Sequence, residues 1–151
     1  EDVAEFNRKF GFLVSDRPQH LTLRKLTERH NFIQEELDEF YDAMHEQDLA
    51  GMADALVDIV YVVKGTAVMM GLGRVWPELW AEVQRANMAK ERGVTKRGNL
   101  ADCIKPPGWV GPNLDAILKR AGYDGPTLEI DDPEHMVDPV TEYGTGGAQS
   151  K

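Results

Sequence analysis

The chain has 151 residues and a formal net charge of −9, which suits one domain with a core of its own and excludes two. So acidic a chain lacks the basic stripe with which proteins contact a phosphate backbone, and we expect no nucleic-acid partner. Cys103 is the single cysteine, so no internal disulfide can form, which favours a cytoplasmic location. No apolar run reaches about 18 residues and no charged-then-apolar leader is seen, so we expect neither a membrane span nor a signal peptide.

The first half of the chain is predicted to form three helices. A short amphipathic helix covers residues 3–10 and stops at Gly11. A long helix covers residues 22–46, which contain no Gly or Pro and carry an apolar seam at alternating spacings of four and three. The seam residues are Leu26, His30, Ile33, Leu37, Phe40 and Met44. Asp48 can cap a third helix, which runs to about residue 70 and ends at Gly71.

The second half of the chain adds a fourth long helix and a short one. The fourth helix opens near Pro77 and runs to about Lys90, residues 94–112 are predicted to be irregular, and Asn113 caps a short helix that ends at Gly122. Residues 126–151 are acidic and rich in Gly and Pro, which is typical of a tail. We therefore predict an all-α fold of the four-helix-bundle type over residues 1–125, followed by a tail over residues 126–151.

The third helix holds the strongest functional signal. Residues 52–63 are apolar at nearly every angle around the helix axis, which predicts a buried helix, yet the segment contains Asp54 and Asp58 and no Lys or Arg. A carboxylate away from water costs several kcal/mol, roughly, unless it is paired or bound to a metal. Glu36 and Glu39 stand one turn apart on the preceding helix, as Asp54 and Asp58 do on this one. Four carboxylates from two facing helices make an oxygen cage that suits Mg²⁺ or Mn²⁺.

A second signal lies at the end of the fourth helix. The apolar stripe of Trp76, Trp80 and Val83 continues as Asn87 and Lys90, which indicates either a polar cavity or a helix that outruns the core. Positive charge concentrates at and after this point, on Lys90, Lys96, Arg97 and Lys105. Basic side chains beside a carboxylate–metal site are what a polyphosphate needs.

These motifs together resemble the bacterial and phage branch of the MazG-like, all-α nucleoside triphosphate pyrophosphohydrolases. The resemblance covers about residues 3–110. It rests on Phe6-Asn-x-x-Phe-Gly11, Asp16-Arg-Pro18, Gln34-Glu-Glu-Leu-Asp-Glu39, Asp54-Ala-Leu-Val-Asp58, Tyr61-Val-Val-x-Gly-Thr-Ala67, Ala86-Asn-Met-x-Lys90 and Lys105-Pro-Pro-Gly-Trp109.

The resemblance implies a metal site and a catalytic group. Its metal ligands correspond to Glu36, Glu39 and Asp58, with Asp54 as a fourth that departs from the family's usual Glu-x-x-Asp spacing. That spacing would put the acid at position 55, where this chain has Ala55. The resemblance gives the catalytic role to Glu36 together with Glu35, which positions or deprotonates the attacking water or lies one layer further out.

The resemblance also implies the reaction, in which a nucleoside triphosphate is cut between the α and β phosphates to the monophosphate and pyrophosphate. Metal-activated water is the nucleophile. The substrate-binding residues it implies are Asn87, Lys90, Arg97 and Lys105. Phe6, Phe10, Phe12 and Trp109 are candidates for base stacking or for the core. Members of this group assemble as dimers or tetramers, so we expect a homo-oligomer.

Two other interpretations stay open at this level. A di-metal carboxylate bundle uses a repeated Glu-x-x-His motif, whereas this chain has only Asp42-x-x-His45, once. A non-enzymatic helical interaction module would use the acids to bind a partner, and it predicts no affinity for divalent metals.

Overall fold

The computed structural model describes residues 1–94 and 102–125. The elements in chain order are α1 (Asp2–Lys9), α2 (Leu23–Glu46), α3 (Leu49–Met69), α4 (Trp76–Met88), β1 (Glu91–Gly93), β2 (Asp102–Ile104) and α5 (Leu114–Arg120). The predicted all-α class is confirmed, with one short hairpin added. The predicted tail, residues 126–151, lies outside the described residues, as do Lys96 and Arg97.

The antiparallel pair of α2 and α3 forms the centre of the molecule. Thr22 caps α2 by accepting a hydrogen bond from the Lys25 amide at 3.2 Å, and Asp48 caps α3 by accepting one from the Ala50 amide at 3.0 Å. Each such cap stabilises a helix by about 1 kcal/mol. Gln47 takes a left-handed conformation with φ 58°, which closes the short turn between the helices. So short a turn makes the two helices pack side by side.

Small residues let α1, α2 and α3 approach closely. Ala43, Ala55, Gly65 and Ala67 are all buried, so the helix backbones come close to one another at these positions. Gly71, just after α3, packs against the loop between α1 and α2. It has φ +70°, and an added Cβ would lie 1.8 Å from the Arg17 carbonyl oxygen. Only glycine fits there.

The α4 helix leaves this layer and packs against α5. Glu82 joins the two, because its carboxylate pairs with Arg85 and accepts a hydrogen bond from the Asn113 amide at 2.9 Å. A second ion pair joins Arg120 to Glu78. Across the described residues α4 does not pack along α2 or α3, so a single chain does not close the predicted four-helix bundle.

The prediction that α3 is buried all round is wrong for a single chain. Val57 is 63% exposed, and Leu56 and Val60 are more than half exposed on the same side of the helix. On α4, Trp80 is 65% exposed, although the sequence placed it in a core stripe. Both helices therefore present apolar faces that the described part of the chain leaves uncovered.

The region predicted to be irregular, residues 94–112, contains β2, and β1 directly precedes it. Glu91 pairs with Ile104 and Gly93 with Asp102 in antiparallel register. Three-residue strands are too short for an alternating pattern to reveal. None of the helices that the structure describes is long and apolar enough to cross a membrane.

Candidate functional site

The face that α2 turns toward α3 contains Glu36. From Arg29 onward the least exposed side chains of this helix recur at spacings of three and four, on Arg29, Ile33, Glu36, Phe40 and Ala43. This seam is rotated from the predicted one, because His30, Leu37 and Met44 are exposed. Glu36 is therefore half-buried within the helix–helix interface, while Glu35 and Glu39 are exposed beside it.

Asp58 is the corresponding carboxylate on α3. It is half-buried, one turn after the buried Ala55, and so lies on the inward face of the helix. Asp54 is exposed, which corrects the expectation that both aspartates lie away from water. Ala55, only 2% exposed, takes the inward position of that turn, and a shift of one residue rotates a side chain by about 100°.

Four of the predicted carboxylates act on the fifth, Glu36. Burial raises the pKa of the Glu36 carboxyl, and the negative charges of Glu39, Asp58, Glu35 and Asp54 raise it further, in that order. A like charge has this effect only when it is close. The structure therefore places the other three predicted metal ligands, Glu39, Asp54 and Asp58, and the predicted catalytic Glu35 near Glu36.

The donor chemistry of this group fits a hard divalent cation. All five side chains offer carboxylate oxygen, the ligand that Mg²⁺ and Mn²⁺ prefer. In the part of the chain that the structure describes, no three His, Cys, Asp or Glu side chains stand close enough together to hold a metal ion as they are. The four neighbouring carboxylates are thus close enough to Glu36 to act on its charge, but they do not surround a single point. Exposed side chains such as Glu39 would have to rotate before the group could coordinate one ion.

The predicted substrate-binding residues gather at the end of α4. The Lys90 ammonium donates to Asn87 Oδ1 at 2.8 Å. The Lys105 ammonium lies 4.5 Å from the centre of the Trp109 ring, and the Trp109 indole donates to the Ala86 carbonyl at 2.7 Å, which holds this loop against the helix. Lys90 and Lys105 also flank the paired residues of the hairpin.

This basic group, formed by Asn87, Lys90 and Lys105, is separate from the carboxylates. Among the described residues no ion pair connects Lys90 or Lys105 to the acids of α2 and α3. Arg97, predicted to act with them, lies outside the described residues.

A cavity of about 370 Å³ lies between α1, α2 and α3. Its walls include Phe6 and Phe12, which the sequence marked as candidates for base stacking, but not Phe10 or Trp109. They also include Phe32 and Tyr61, which sequence reasoning missed. The sequence spacing could have indicated them. Phe32 precedes Glu36 by four residues and Tyr61 follows Asp58 by three, so each ring lies on the same side of its helix as the acid.

Two comparisons with known proteins bear on these residues. The family model described as phosphoribosyl-ATP pyrophosphohydrolase matches residues 3–87. The chain is also similar to an uncharacterized protein of Acanthamoeba polyphaga mimivirus, with 35% identity over 79 residues that cover 46% of this chain and 30% of the viral protein. The chain thus spans less than a third of the length of that relative.

The family match contains the whole carboxylate group. Glu35, Glu36, Glu39, Asp54 and Asp58 all lie within residues 3–87, and Asn87 is the last residue matched. More than half of the chain is covered. The chain belongs to the phosphoribosyl-ATP pyrophosphohydrolase family, a MazG-like, all-α group of pyrophosphohydrolases.

Proposed function

We propose that this protein hydrolyses a nucleoside triphosphate to the monophosphate and pyrophosphate, with Mg²⁺ as its cofactor and Mn²⁺ as a substitute. The observation that carries the proposal is the convergence of four carboxylates on half-buried Glu36, in a chain that belongs to a family of pyrophosphohydrolases. The family's name adds phosphoribosyl-ATP, itself a substituted nucleoside triphosphate, to the candidate substrates. Within the family we assign the chain to the bacterial and phage branch that its motifs resemble.

Each carboxylate has a role in this proposal. Glu36, Glu39 and Asp58 hold the cation, and Asp54 reaches it from the exposed side of α3. A bound Mg²⁺ neutralises phosphate oxygens and lowers the pKa of water. Glu35 is exposed next to this group, where its carboxylate can accept a proton from the attacking water. Without a cation the group repels a triphosphate, so activity requires the metal.

The basic group at the end of α4 binds the phosphates. The Lys90 and Lys105 ammonium groups are free of carboxylate partners within the described residues, so they can form charge-assisted hydrogen bonds to phosphate oxygens. Asn87 contributes an amide for phosphate or sugar, and Arg97 a guanidinium. Among the described residues α4 does not pack along α2 or α3. The basic group therefore binds the phosphates of a nucleotide whose metal is held by carboxylates that a second copy or a closing movement brings near.

We also propose that the protein is a homodimer or homotetramer. Exposed apolar side chains cluster on one face of α3 and on α4, for example Val57, Val60 and Trp80. Single exposed apolar residues are normal on a protein surface, but a contiguous apolar patch marks a site of protein–protein contact. Val60→Lys should dissociate the oligomer, because a charge in an apolar interface is costly to desolvate. Light scattering coupled to gel filtration measures the mass, and Val110→Lys, at an exposed loop position, is the matched control. A monomeric wild-type protein at micromolar concentration would contradict the proposal.

The experiment for the activity measures pyrophosphate release from each canonical triphosphate and from phosphoribosyl-ATP, with and without Mg²⁺. Glu39→Gln should abolish turnover while the fold stays intact, and Glu46→Gln, an exposed glutamate on the same helix, should not. A calorimetric Mn²⁺ titration of the wild type and of the same two variants tests the alternative interpretation, a non-enzymatic helical interaction module. The enzyme should bind Mn²⁺, and Glu39→Gln should bind it more weakly. An interaction module binds no metal in any variant. Full activity of Glu39→Gln at saturating Mg²⁺ would refute the assignment of this residue.

A further inference from the structure

The cavity between α1, α2 and α3 is walled by four aromatic rings. Phe6 lies at the centre of the cluster, with ring centroids 5.5 Å from Tyr61 in an edge-on arrangement and 6.1 Å from Phe12. Phe32 completes the wall and is 46% exposed. Rings that serve only a core are mostly buried, whereas these border an open space of about 370 Å³, within the size range of small-molecule pockets.

A buried amide acceptor without a partner faces the same cavity. Asn7 lines it and is only 3% exposed. Its Nδ2 donates to the Leu13 carbonyl at 3.2 Å, which fixes the side chain. Its Oδ1 accepts no hydrogen bond from any residue in the two described ranges, 1–94 and 102–125. Buried acceptors are seldom left in this state, so Oδ1 is available to a donor on a ligand.

Arg29 supplies the complementary donor. Its Nε donates to Thr66 Oγ1 and its Nη2 to the Val62 carbonyl, both at 3.0 Å, and the guanidinium lies 5.2 Å from the centre of the Phe32 ring. The Nη1 atom donates no hydrogen bond inside the described part of the chain. Arg29 lines the cavity, so aromatic walls there enclose both an acceptor and a donor.

The cavity lies next to the carboxylates. Phe32 precedes Glu36 by four residues and Tyr61 follows Asp58 by three, so on each helix the aromatic ring and the acid share a face about one turn, roughly 5.4 Å, apart. A ligand that fills the cavity therefore ends close to the carboxylate group. In a nucleotide, the base and the first phosphate are separated in the same way, by the sugar.

We propose that this cavity binds the base of the nucleotide substrate. The rings of Phe32 and Tyr61 stack on the base, Asn7 Oδ1 accepts from an N–H on its hydrogen-bonding edge, and Arg29 donates to the neighbouring acceptor. The proposal rests on the proposed function for the phosphate half of the ligand. It makes Asn7 and Arg29 the residues that determine base specificity.

The first test uses nucleosides, which have no phosphate and so do not depend on hydrolysis. Uridine, cytidine, adenosine and guanosine are titrated separately into the ¹⁵N-labelled full chain without metal, and amide spectra are recorded. At least one nucleoside should shift the Asn7 side-chain amide and the backbone amides of Phe32 and Tyr61, and tripolyphosphate, which has no base, should not. The proposal is overturned if no nucleoside shifts these signals at millimolar concentration, as when a second copy of the chain covers the cavity.

The second test measures base discrimination, as the ratio of kcat/KM between the best and the poorest triphosphate. Asn7→Ala should lower the ratio, because it removes the acceptor that contacts the hydrogen-bonding edge of the base. Phe32→Leu should lower kcat/KM for every triphosphate, on the order of tenfold, because a ring stacks on any base. Phe10→Leu and Asn31→Ala are matched controls, since Phe10 contacts the Phe6 ring from outside the cavity and Asn31 is exposed on α2. Thermal melting checks the fold, and the half-exposed Phe32 gives a foldable variant if Asn7→Ala unfolds.

The two proposals fail in different ways. Hydrolysis of triphosphates with an unchanged kcat/KM in Phe32→Leu would overturn the base pocket and leave the activity standing. Nucleoside binding at these residues without hydrolysis of any triphosphate would support the pocket and overturn the activity.

Discussion

Glu36 on α2 and Asp58 on α3 are both half-buried at the interface of the two helices, and the charge on Asp58 helps to raise the pKa of Glu36. Each sits at a position where its helix otherwise places apolar or small residues. Crowded negative charge of this kind lowers the stability of the metal-free protein, and a bound cation would neutralise it.

The metal-free protein should gain stability from Glu36→Gln. The pKa of Glu36 is raised above its usual 4.5 by burial first and then by four neighbouring acids. Ionisation therefore disfavours the folded state, and the cost is absent below pH 4.5 and grows as the pH rises through the folded pKa. At pH 7 without metal the variant should melt higher than the wild type, by on the order of 1 °C, and the difference should vanish near pH 4. A variant that melts lower at pH 7 would contradict the crowding of charge.

Asp58→Asn should weaken Mn²⁺ binding much more than Asp54→Asn. Asp58 is half-buried and faces Glu36, whereas Asp54 is exposed and contributes the weakest of the four carboxylate effects on Glu36. We expect a loss of at least about tenfold for Asp58→Asn, equivalent to about 1.4 kcal/mol, and a smaller loss for Asp54→Asn, measured by calorimetry. Equal losses of Mn²⁺ affinity in the two variants would contradict this ranking and make Asp54 as important a ligand as Asp58. Asp42→Asn, at an exposed position on α2, is the control.

Lys90→Ala and Lys105→Ala should raise KM for the best triphosphate and leave Mn²⁺ affinity unchanged. Each ammonium acts on phosphate charge, and a charge-assisted hydrogen bond contributes about 1.5–3 kcal/mol, so KM should rise by at least about tenfold. Lys119→Ala, whose ammonium pairs with Asp115 on α5, controls for loss of a positive charge. Wild-type kinetics in both variants would show that this basic group does not bind the substrate.

Glu82→Gln should loosen the packing of α4 on α5, and the effect should depend on pH. Hydrogen bonds from Arg85 and from the Asn113 amide lower the pKa of Glu82 to about 2. A lowered pKa stabilises the fold above pH 4.5, and this contribution is lost as the pH falls from 4.5 toward 2. The variant should therefore melt lower than the wild type at pH 7, with a difference that shrinks at pH 3. A constant difference across this range would mean that the carboxylate charge has no part in the packing.

Helical periodicity was enough to predict much of the fold and of the carboxylate group. Glu36 and Asp58 were brought together because spacings of three and four residues place side chains on one face. The caps predicted at Asp48 and Asn113 form their hydrogen bonds.

The rest depends on contacts that one sequence does not reveal. Asp54 was expected to lie away from water, but the helix turns the small Ala55 inward instead. The apolar faces of α3 and α4 looked like core because hydrophobicity does not distinguish a core from an uncovered surface. Asn7 was part of the motif Phe6-Asn-x-x-Phe-Gly11, but no role was predicted for it, since its burial comes from the packing of α1 and the following loop.

The most direct test of the central claim is hydrolysis of the best triphosphate in ¹⁸O-labelled water with Mg²⁺ present, followed by mass spectrometry of the products. Attack on the α phosphorus, assisted by the carboxylates around Glu36, predicts label in the nucleoside monophosphate and none in the pyrophosphate. Label in the pyrophosphate would place the attack on the β phosphorus, and release of inorganic phosphate with a nucleoside diphosphate would place it on the γ phosphorus. Either result would contradict the proposed reaction.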